Sequence, residues 1–471
     1  MPSLDLSKVA EPIRKATQDV ARLVRDAGGR AFLVGGAVRD LLCGAVAKDV
    51  DIEVFGLAPD RLREVLSREF ELDLVGESFG VVKLRHLDID IALPRRESKH
   101  GTGHKGFDIY SDPTLSVEEA AARRDFTINA IYYDPLGDEI ADPFGGRRDL
   151  AAKVLRHVSE KFREDPLRVL RGMQFVARFD LAPAPETIAV CRTMTSEGLP
   201  RERLFGEWAK LLEKGVAISK GMNFLRETGW TRDYPELTAL IGCRQDPQWH
   251  PEGDVWNHTL ACLDAFSRCR SGDSREDLVV GLAVLCHDFG KPATTRFERG
   301  HIRSIGHDEA GLAPTLSFLR RLTNEEALLK EVPPLVTHHM QPYALWRAGA
   351  GDAAVRRLAA KVIRLDRLIR VALADDEGRP PFPPGGSSGG ADLRWLADAA
   401  ERLSIRDSAP KPLLQGRDLV AMGLRPSPKF GDWLKTCYEA QLDGAFTDRE
   451  GAARYFREHF GNTSGETDDG N

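Results

Sequence analysis

Asp49 and Asp51 stand two residues apart in Lys48-Asp49-Val50-Asp51-Ile52-Glu53-Val54, and this alternation constrains the chain more than any other feature. The pattern predicts a strand, and residues two apart on a strand share a face. Two carboxylates are therefore set side by side. Without a counter-charge they repel, and one of them titrates high. A hard divalent cation such as Mg²⁺ removes the conflict, because it takes a few carboxylates together with substrate phosphates. Just upstream runs Leu33-Val34-Gly35-Gly36-Ala37-Val38-Arg39-Asp40. Gly35 and Gly36 let the backbone approach a phosphate, and Arg39 can clamp it. Either motif alone also fits an ordinary solvated strand edge or turn. Their order and short separation point to nucleotidyl transfer.

The rest of the chain reads as several domains. At 471 residues, about three are expected, and 42% hydrophobic residues are enough for packed cores. Residues 1–30 read as a helix with apolar positions at helical spacing and residues 31–150 alternate strands and helices, together an α/β head over 1–150 with a mixed sheet. From Leu150 onward the periodicity is helical. The expected divisions are a helical neck over 151–245, a further helical domain over 246–380 and a helical tail over 392–460. The Pro/Gly/Ser-rich stretch 378–391 reads as a linker, and the polar end GNTSGETDDGN as disordered. Seven cysteines without a CxxC pair read as reduced thiols of a cytoplasmic protein. No signal peptide and no membrane-spanning run is expected. The net charge of −6 is unfavourable for a nucleic-acid binder, so RNA contact must come from local clusters. One candidate is Arg95, Arg96, Lys99, His100, His104 and Lys105; another is Arg201 and Arg203.

Further blocks follow in order: Arg123-Arg124-Asp125-Phe126-Thr127-Ile128-Asn129-Ala130, then Asp142-Pro143-Phe144-Gly145-Gly146, then Glu164-Asp165-Pro166-Leu167-Arg168-Val169-Leu170-Arg171. With the two motifs above, they resemble the class II tRNA nucleotidyltransferase and bacterial poly(A) polymerase family. The resemblance is dense over residues 31–180 and looser to about 460. It implies a head that adds nucleotides to RNA 3′ ends, with tRNA, CTP and ATP as partners and Mg²⁺ as cofactor. Within the head, 81–85 and 89–93 read as strands. Asp90 is either a third catalytic carboxylate or an ordinary exposed strand residue. Pro94 to Gly106 reads as a basic loop; the family's flexible loop here is linked to switching between CTP and ATP, which argues against addition of cytidines alone. Arg124 and Asp125 fall near the nucleotide, and Asn129 either binds the sugar or caps a helix. Asp165 and Arg168, three apart on a predicted helix, form either an intrahelical ion pair or, as the resemblance implies, a protein template for the Watson–Crick edge of the incoming base. Arg171 would bind the triphosphate. Gln174 departs from relatives that carry another arginine there.

A second constellation comprises His258, His287-Asp288, His307, His338-His339 and Asp375. His250-Pro251-Glu252-Gly253-Asp254 precedes His258, His287-Asp288 sits in Leu285-Cys286-His287-Asp288-Phe289-Gly290-Lys291, and Asp375 in Ala374-Asp375-Asp376-Glu377-Gly378-Arg379. This resembles the HD-type phosphohydrolase pattern. Histidine nitrogens and aspartate oxygens suit a divalent transition metal, whose bound water would attack a phosphate ester. The expected ligands are His258, His287, Asp288, His307, His339 and Asp375. The reading as a whole is a two-site enzyme: CCA addition to tRNA by the head, and hydrolysis of phosphate esters or cyclic phosphates at damaged tRNA ends by the HD domain. The alternatives are a poly(A) polymerase, an enzyme adding only A or only CC, and a phosphohydrolase whose head merely binds RNA. The acidic C-terminal stretch speaks against the first, and intact Asp49, Asp51, Arg124, Asp165 and Arg168 against the last.

Overall fold

A computed structural model describes residues 4–73, 81–99, 107–379 and 390–461. The chain forms two compact units, Met1–Asp233 and Tyr234–Asn471. The first carries strands β1 (Arg30–Val34), β2 (Val50–Phe55), β3 (Leu72–Asp73), β4 (Val81–Leu84), β5 (Ile89–Ala92), β6 (Arg95–Lys99), β7 (Phe107–Ser111), β8 (Tyr132–Asp134) and β9 (Glu139–Ala141). Seven of them form one sheet in the order β3-β4-β5-β2-β1-β8-β9. It is mixed, as expected: β2 and β5 run parallel, whereas β1 and β2 are antiparallel.

The alternation of β2 decides what lies on each side of this sheet. Val50, Ile52 and Val54 are buried with Leu33, Ile89 and Ile91 under Val20 and Val24 of the helix Glu11–Asp26. Asp51 and Glu53 consequently face the other way, the face where Phe32, Phe55 and Tyr132 pack edge to face. The strand begins one residue later than the spacing suggests, so Asp49 lies in the bend before it. The register sets Asp51 opposite Asp90.

The expected loop after Pro94 is partly a hairpin. β6 pairs with β7 in antiparallel register, Arg95 opposite Ser111. Arg-Arg-Glu-Ser-Lys lacks the polar–apolar alternation of a half-buried strand, so this pairing leaves no trace in a hydrophobicity pattern. His100, His104 and Lys105 lie outside the described residues, as do most of the linker and the polar C-terminal end.

Beyond the sheet, the first unit is helical apart from a two-residue parallel pairing of Val154–Leu155 with Ala182–Pro183. The helix Leu167–Phe179 is buried over most of its circumference between the helices Arg201–Lys214 and Ile218–Glu227. The last of these comes so close that a Cβ on Gly221 would lie 2.5 Å from the Met173 carbonyl oxygen.

In the second unit, the helix Ser274–Cys286 is apolar on all sides and buried from Asp277 to Cys286, the mark of a central helix. The helices Val255–Arg268, Glu326–Thr337 and Leu365–Glu377 pack around it. Two placements differ from the expected divisions. Pro235–Leu240, expected in the neck, packs on Val255–Arg268 and Leu312–Leu322. Ala391–Arg402, expected in the tail, packs on Gln341–Arg347 and Leu365–Glu377. Both carry apolar positions at helical spacing, and periodicity does not say which neighbour covers them. The remaining tail helices have a small core of their own around Leu419, Cys437, Ala452 and Phe456. No helix of the described residues is long and apolar enough to cross a membrane.

Gly221→Val should disrupt the three-helix packing by forcing a side chain into the Met173 carbonyl. Overpacking of this kind costs about 1–3 kcal/mol. At about 2–4 °C per kcal/mol for a unit of this size, calorimetry should show the first unit melting several degrees lower. An unchanged transition would mean that the close approach is not needed.

Candidate functional sites: a basic cavity and a histidine cluster

The turn between β1 and the helix Gly36–Leu42 sets the floor of the first site. Gly35 has φ +69°, a left-handed conformation that suits glycine. A Cβ there would stand 3.3 Å from Arg124 Nη1 and 3.4 Å from Asp51 Oδ2. The glycine thus lets a carboxylate and a guanidinium crowd against the backbone. Arg124 is fixed by Glu53, 3.0 Å away, and by Tyr132, whose hydroxyl donates to Glu53 at 2.7 Å. Burial alone would lower the Arg124 pKa, but Tyr132 and Glu53 carry it up. The Asp51 residue opens to solvent through the cavity, yet its carboxyl is held above the usual carboxylate range. The protein packed around it is the leading cause, Arg124 opposes the rise, and Asp49 and Asp90 add to it. Asp90 is tied to Lys83 at 2.9 Å.

A cavity of about 570 Å³ opens over this floor. It is lined by Gly35, Gly36, Arg39, Asp49, Asp51, Arg124, Asp125, Asn129, Asp165, Arg168 and Arg171, which are all the expected nucleotide-binding positions. Asp90 lines an adjoining cavity that shares Asp51 and Arg124. Eight basic side chains face five acidic ones around the larger cavity, so a locally positive site exists in an acidic protein.

Not every expected residue is free to meet a ligand. Arg39 is 4% exposed and does not present a phosphate clamp. Its Nε and Nη2 donate to Asp40 at 2.9 and 2.7 Å, and its Nη1 donates to Asn129 Oδ1 at 2.7 Å. Asn129 Nδ2 donates to Asp125 Oδ1 at 3.0 Å, and Arg171 Nε donates to Asp125 Oδ2 at 2.8 Å. One chain of hydrogen bonds therefore runs from Asp40 through Arg39, Asn129 and Asp125 to Arg171, buried in its middle three members and half-buried at its ends. Burial would raise the Asp125 pKa, but Arg171 and Asn129 hold it below the usual range. Asn129 neither caps a helix nor reaches outward; it is the middle link of this chain.

Asp165 and Arg168 do not share a helical face. The helix starts at Leu167, and Asp165 precedes its N-cap, Pro166. Proline keeps the residue before it out of helical geometry. Asp165 pairs instead with Arg203 of the next long helix, at 2.8 Å. Arg168 donates to the carbonyls of Lys161 and Arg123 at 2.8 and 2.6 Å. Gln174 is buried and accepts from Arg178, which brings a guanidinium to the cavity one turn further on.

The second unit gathers all six expected metal ligands. Asp254 caps the helix Val255–Arg268 through the Asn257 amide and sets His258 in its first turn. His287 and Asp288 end the central helix. His287, His307 and His339 each have Nδ1 within 2.7–2.8 Å of a carbonyl three residues back. Donation there leaves each Nε2 as a lone pair aimed inward, as in histidines whose other ring nitrogen is held by the backbone so that this one can meet a metal. His307 Nε2 and His339 Nε2 lie 3.3 Å apart, and His258 Nε2 and His287 Nε2 3.4 Å apart. Facing lone pairs at that distance need a cation or a proton between them. Asp288 spans the cluster, with Oδ2 3.3 Å from His287 Nε2 and Oδ1 3.4 Å from His307 Nε2. The donors thus fall into two adjoining groups, one around His258, His287 and Asp375 and one formed by Asp288, His307 and His339. His338 turns aside to Thr337 and the Pro334 carbonyl.

The electrostatics fit a cation. Burial would lower the His287 pKa, but Asp288 carries it up to about 10. Burial and the neighbouring imidazoles push His339 down to about 4. Glu252 accepts from His258 Nδ1 at 2.8 Å and supports it from behind. The described residues of the first unit hold no comparably tight group of three donors.

Residues 31–156 match the Poly A polymerase head domain family. The Multifunctional CCA protein of Chromobacterium violaceum is 38% identical over 364 residues, covering 74% of this chain and 85% of that one. The chain belongs to the family of multifunctional CCA proteins. The member from Acinetobacter baumannii strain AYE is 37% identical over 366 residues, covering 74% of this chain and 84% of its own. Two solved structures share the fold. The CCA-adding enzyme of Bacillus stearothermophilus in complex with CTP has a TM-score of 0.66 at 23% identity, covering 96% of this chain and 99% of that one. The Thermotoga maritima enzyme complexed with tRNA_CCA has a TM-score of 0.59 at 20% identity, covering 97% and 98%.

Within this family frame, several residues of the sites escaped the motif reading. Glu53 extends the two-residue spacing of Asp49 and Asp51, and that spacing was the signal for it. Tyr132 and Arg203 had no motif pointing to their partners, which lie 79 and 38 residues away.

Asn129→Ala tests the chain of hydrogen bonds. It strands Arg39 Nη1 and removes one of the two hydrogen bonds to Asp125 Oδ1, which keeps the Phe126 amide, at a cost of about 1–3 kcal/mol. Because the folded Asp125 pKa is depressed, its stabilisation is present above the ordinary carboxylate value and is lost as pH falls toward the lower folded value. Removing one of the groups that depress it should move the acid-unfolding midpoint to higher pH. Circular dichroism during acid titration would show this, and an unmoved midpoint would disprove the link.

Proposed function

We propose that the first unit adds CCA to the 3′ end of tRNA, with CTP and ATP as donors, and that the second is a metal-dependent phosphohydrolase acting on phosphate esters or cyclic phosphates at damaged tRNA ends. The observation that carries the first half is the positive cavity that unites the Asp51 floor with Arg124, Asp165, Arg168 and Arg171. The relatives named for CCA support the choice of nucleotides and of tRNA over general polyadenylation. Seven unpaired cysteines suit a reducing cytoplasm.

In the head, Asp49 and Asp51, joined by Asp90 once Lys83 releases it, hold Mg²⁺. When bound, the metal activates the RNA 3′-hydroxyl and offsets triphosphate charge. Gly35 and Gly36 keep the floor open to the phosphates. Arg124 stands beside Asp51 as a fixed positive charge. Asp125, Asn129 and Arg39 position Arg171 for the triphosphate. Asp165 offers acceptors and Arg168 donors to the edge of the incoming base, and Arg203 steadies Asp165. Such a pair selects bases by hydrogen-bond pattern, because a mismatched base leaves buried groups unpaired.

In the second unit, His258, His287, Asp288, His307, His339 and Asp375 hold a divalent transition metal. When bound, it supplies an acidified water for attack on phosphorus. Lys291, 2.7 Å from Asp288, and Arg379, 3.3 Å from Asp375, keep these carboxylates charged. Both line the cavity that opens onto the cluster, where they can also receive phosphate oxygens.

The decisive measurement is incorporation from CTP and ATP onto tRNA transcripts ending before CCA, after C and after CC. Ordered addition stopping at CCA is expected. Long A tails on any RNA would instead mark a poly(A) polymerase, and extension of a single substrate a partial adder. Asp51→Ala should lower incorporation at least about 100-fold, as loss of one centre of charge stabilisation does. It should leave metal-dependent phosphatase activity intact. His287→Ala should do the reverse, and parallel loss of both activities in either variant would refute the assignment of one activity to each unit.

A further inference from the structure

Cys262 lies inside the histidine cluster and has no part in the metal site as read above. It stands one helical turn after His258, so both side chains point the same way. Its Sγ is 3.4 Å from His258 Nε2, and the residue is fully buried. One donor atom each from Cys262, His258, His287 and Asp375 lies within 4.8 Å of the others. Asp288 Oδ2, buried and paired with Lys291 Nζ at 2.7 Å, borders the same space 3.3 Å from His287 Nε2 and 3.7 Å from His258 Nε2. The backbone makes room for the thiol: a Cβ on Gly378 would collide with Cys262 Sγ.

A buried cysteine is ordinarily a small apolar filler. Cys437 plays that part in its helix, packed among Leu419, Phe446 and Phe456. Cys262 is surrounded instead by imidazoles and carboxylates that present lone pairs. An apolar filler gains little there, whereas a metal ligand completes the set.

We propose that Cys262 is a thiolate ligand of the metal in the second unit, completing a donor set with His258, His287 and Asp375. This rests on the reading of the cluster as a metal site. As the Sγ–metal bond forms, the S–H bond breaks and its proton passes to solvent, so loading releases about one proton more than it would without the thiol. A soft sulfur ligand favours zinc, cobalt, nickel or ferrous iron over magnesium, calcium or manganese.

The test uses the full-length protein, stripped of metal and reloaded with Co²⁺ or Zn²⁺. The Co²⁺ form should show d–d bands together with sulfur-to-cobalt charge-transfer absorption in the near ultraviolet. Cys262→Ser should keep the d–d bands and lose the charge-transfer absorption. X-ray absorption of the Zn²⁺-loaded wild type needs no variant to fold, and it should show one sulfur at about 2.3 Å. Cobalt bands without charge transfer, or a zinc shell of nitrogen and oxygen alone, would overturn the thiolate ligand and leave the metal site standing. Charge transfer that survives in Cys262→Ser would place the sulfur elsewhere and overturn the proposal. A wild type that binds neither metal would overturn both the ligand and the metal site.

Discussion

The first unit depends on a buried guanidinium. Arg39 costs stability to bury and is tolerable only because Asp40 and Asn129 take its charge and hydrogen bonds, and because its flat face lies 4.2 Å from the Phe179 ring centroid. That face anchors the helix after the glycine turn to the helix Leu167–Phe179. Asn129 then passes the constraint to Asp125, and Asp125 to Arg171. A group that reads as a phosphate clamp from its place in the motif is therefore the pin that joins the sheet to the helices. The middle links are buried and the two ends half-buried, so a break at Asn129 leaves Arg39 Nη1 without its partner while Asp125 keeps the Phe126 amide. The position of Arg171 at the cavity wall is over-determined in a way that a surface ion pair could not achieve.

The second unit solves the same problem with different chemistry. A histidine can aim only one nitrogen at a time, and its orientation is set by what the other nitrogen does. Here the backbone takes Nδ1 of His287, His307 and His339, each through a carbonyl three residues back. Helix termini make this possible, because their last carbonyls lack intrahelical partners. The carbonyls that would be orphaned at the ends of Ser274–Cys286 and Glu326–Thr337 are the ones that orient the imidazoles. Those two imidazoles are thus set where helices stop, and the apolar central helix delivers His287 and Asp288 together, whereas His258 and His307 enter from the first turns of their own helices.

The sequence made some of this legible and hid the rest for physical reasons. Strand β2 was readable because one face is buried, and burial forces a period of two. The histidines were readable because an imidazole is chemically distinctive wherever it falls, and the fold brings four of them together. The Asp165–Arg203 pair was not, since nothing local marks a partner 38 residues away, and the expected pairing with Arg168 assumed a helix that Pro166 delays. The role of Arg39 was misread because a motif gives residue type and spacing but not burial. Cys262 was passed over because a cysteine on an apolar helix has the same sequence signature whether it fills space or faces a metal.

Local charge and total charge also part company here, and the reason lies in distance. At physiological salt, exposed charges more than about 8 Å apart are largely screened from one another. The net charge of −6 is spread over the whole chain, whereas Arg124, Arg168, Arg171, Arg178 and Arg203 converge on one cavity. Several of these are pre-paired with Glu53, Asp125 or Asp165, so the cavity holds positive charge without disordering repulsion. An incoming triphosphate would meet guanidinium groups already fixed in place. A protein acidic overall can therefore handle an anionic substrate, provided its positive charge is concentrated and pinned by internal carboxylates rather than spread over the surface.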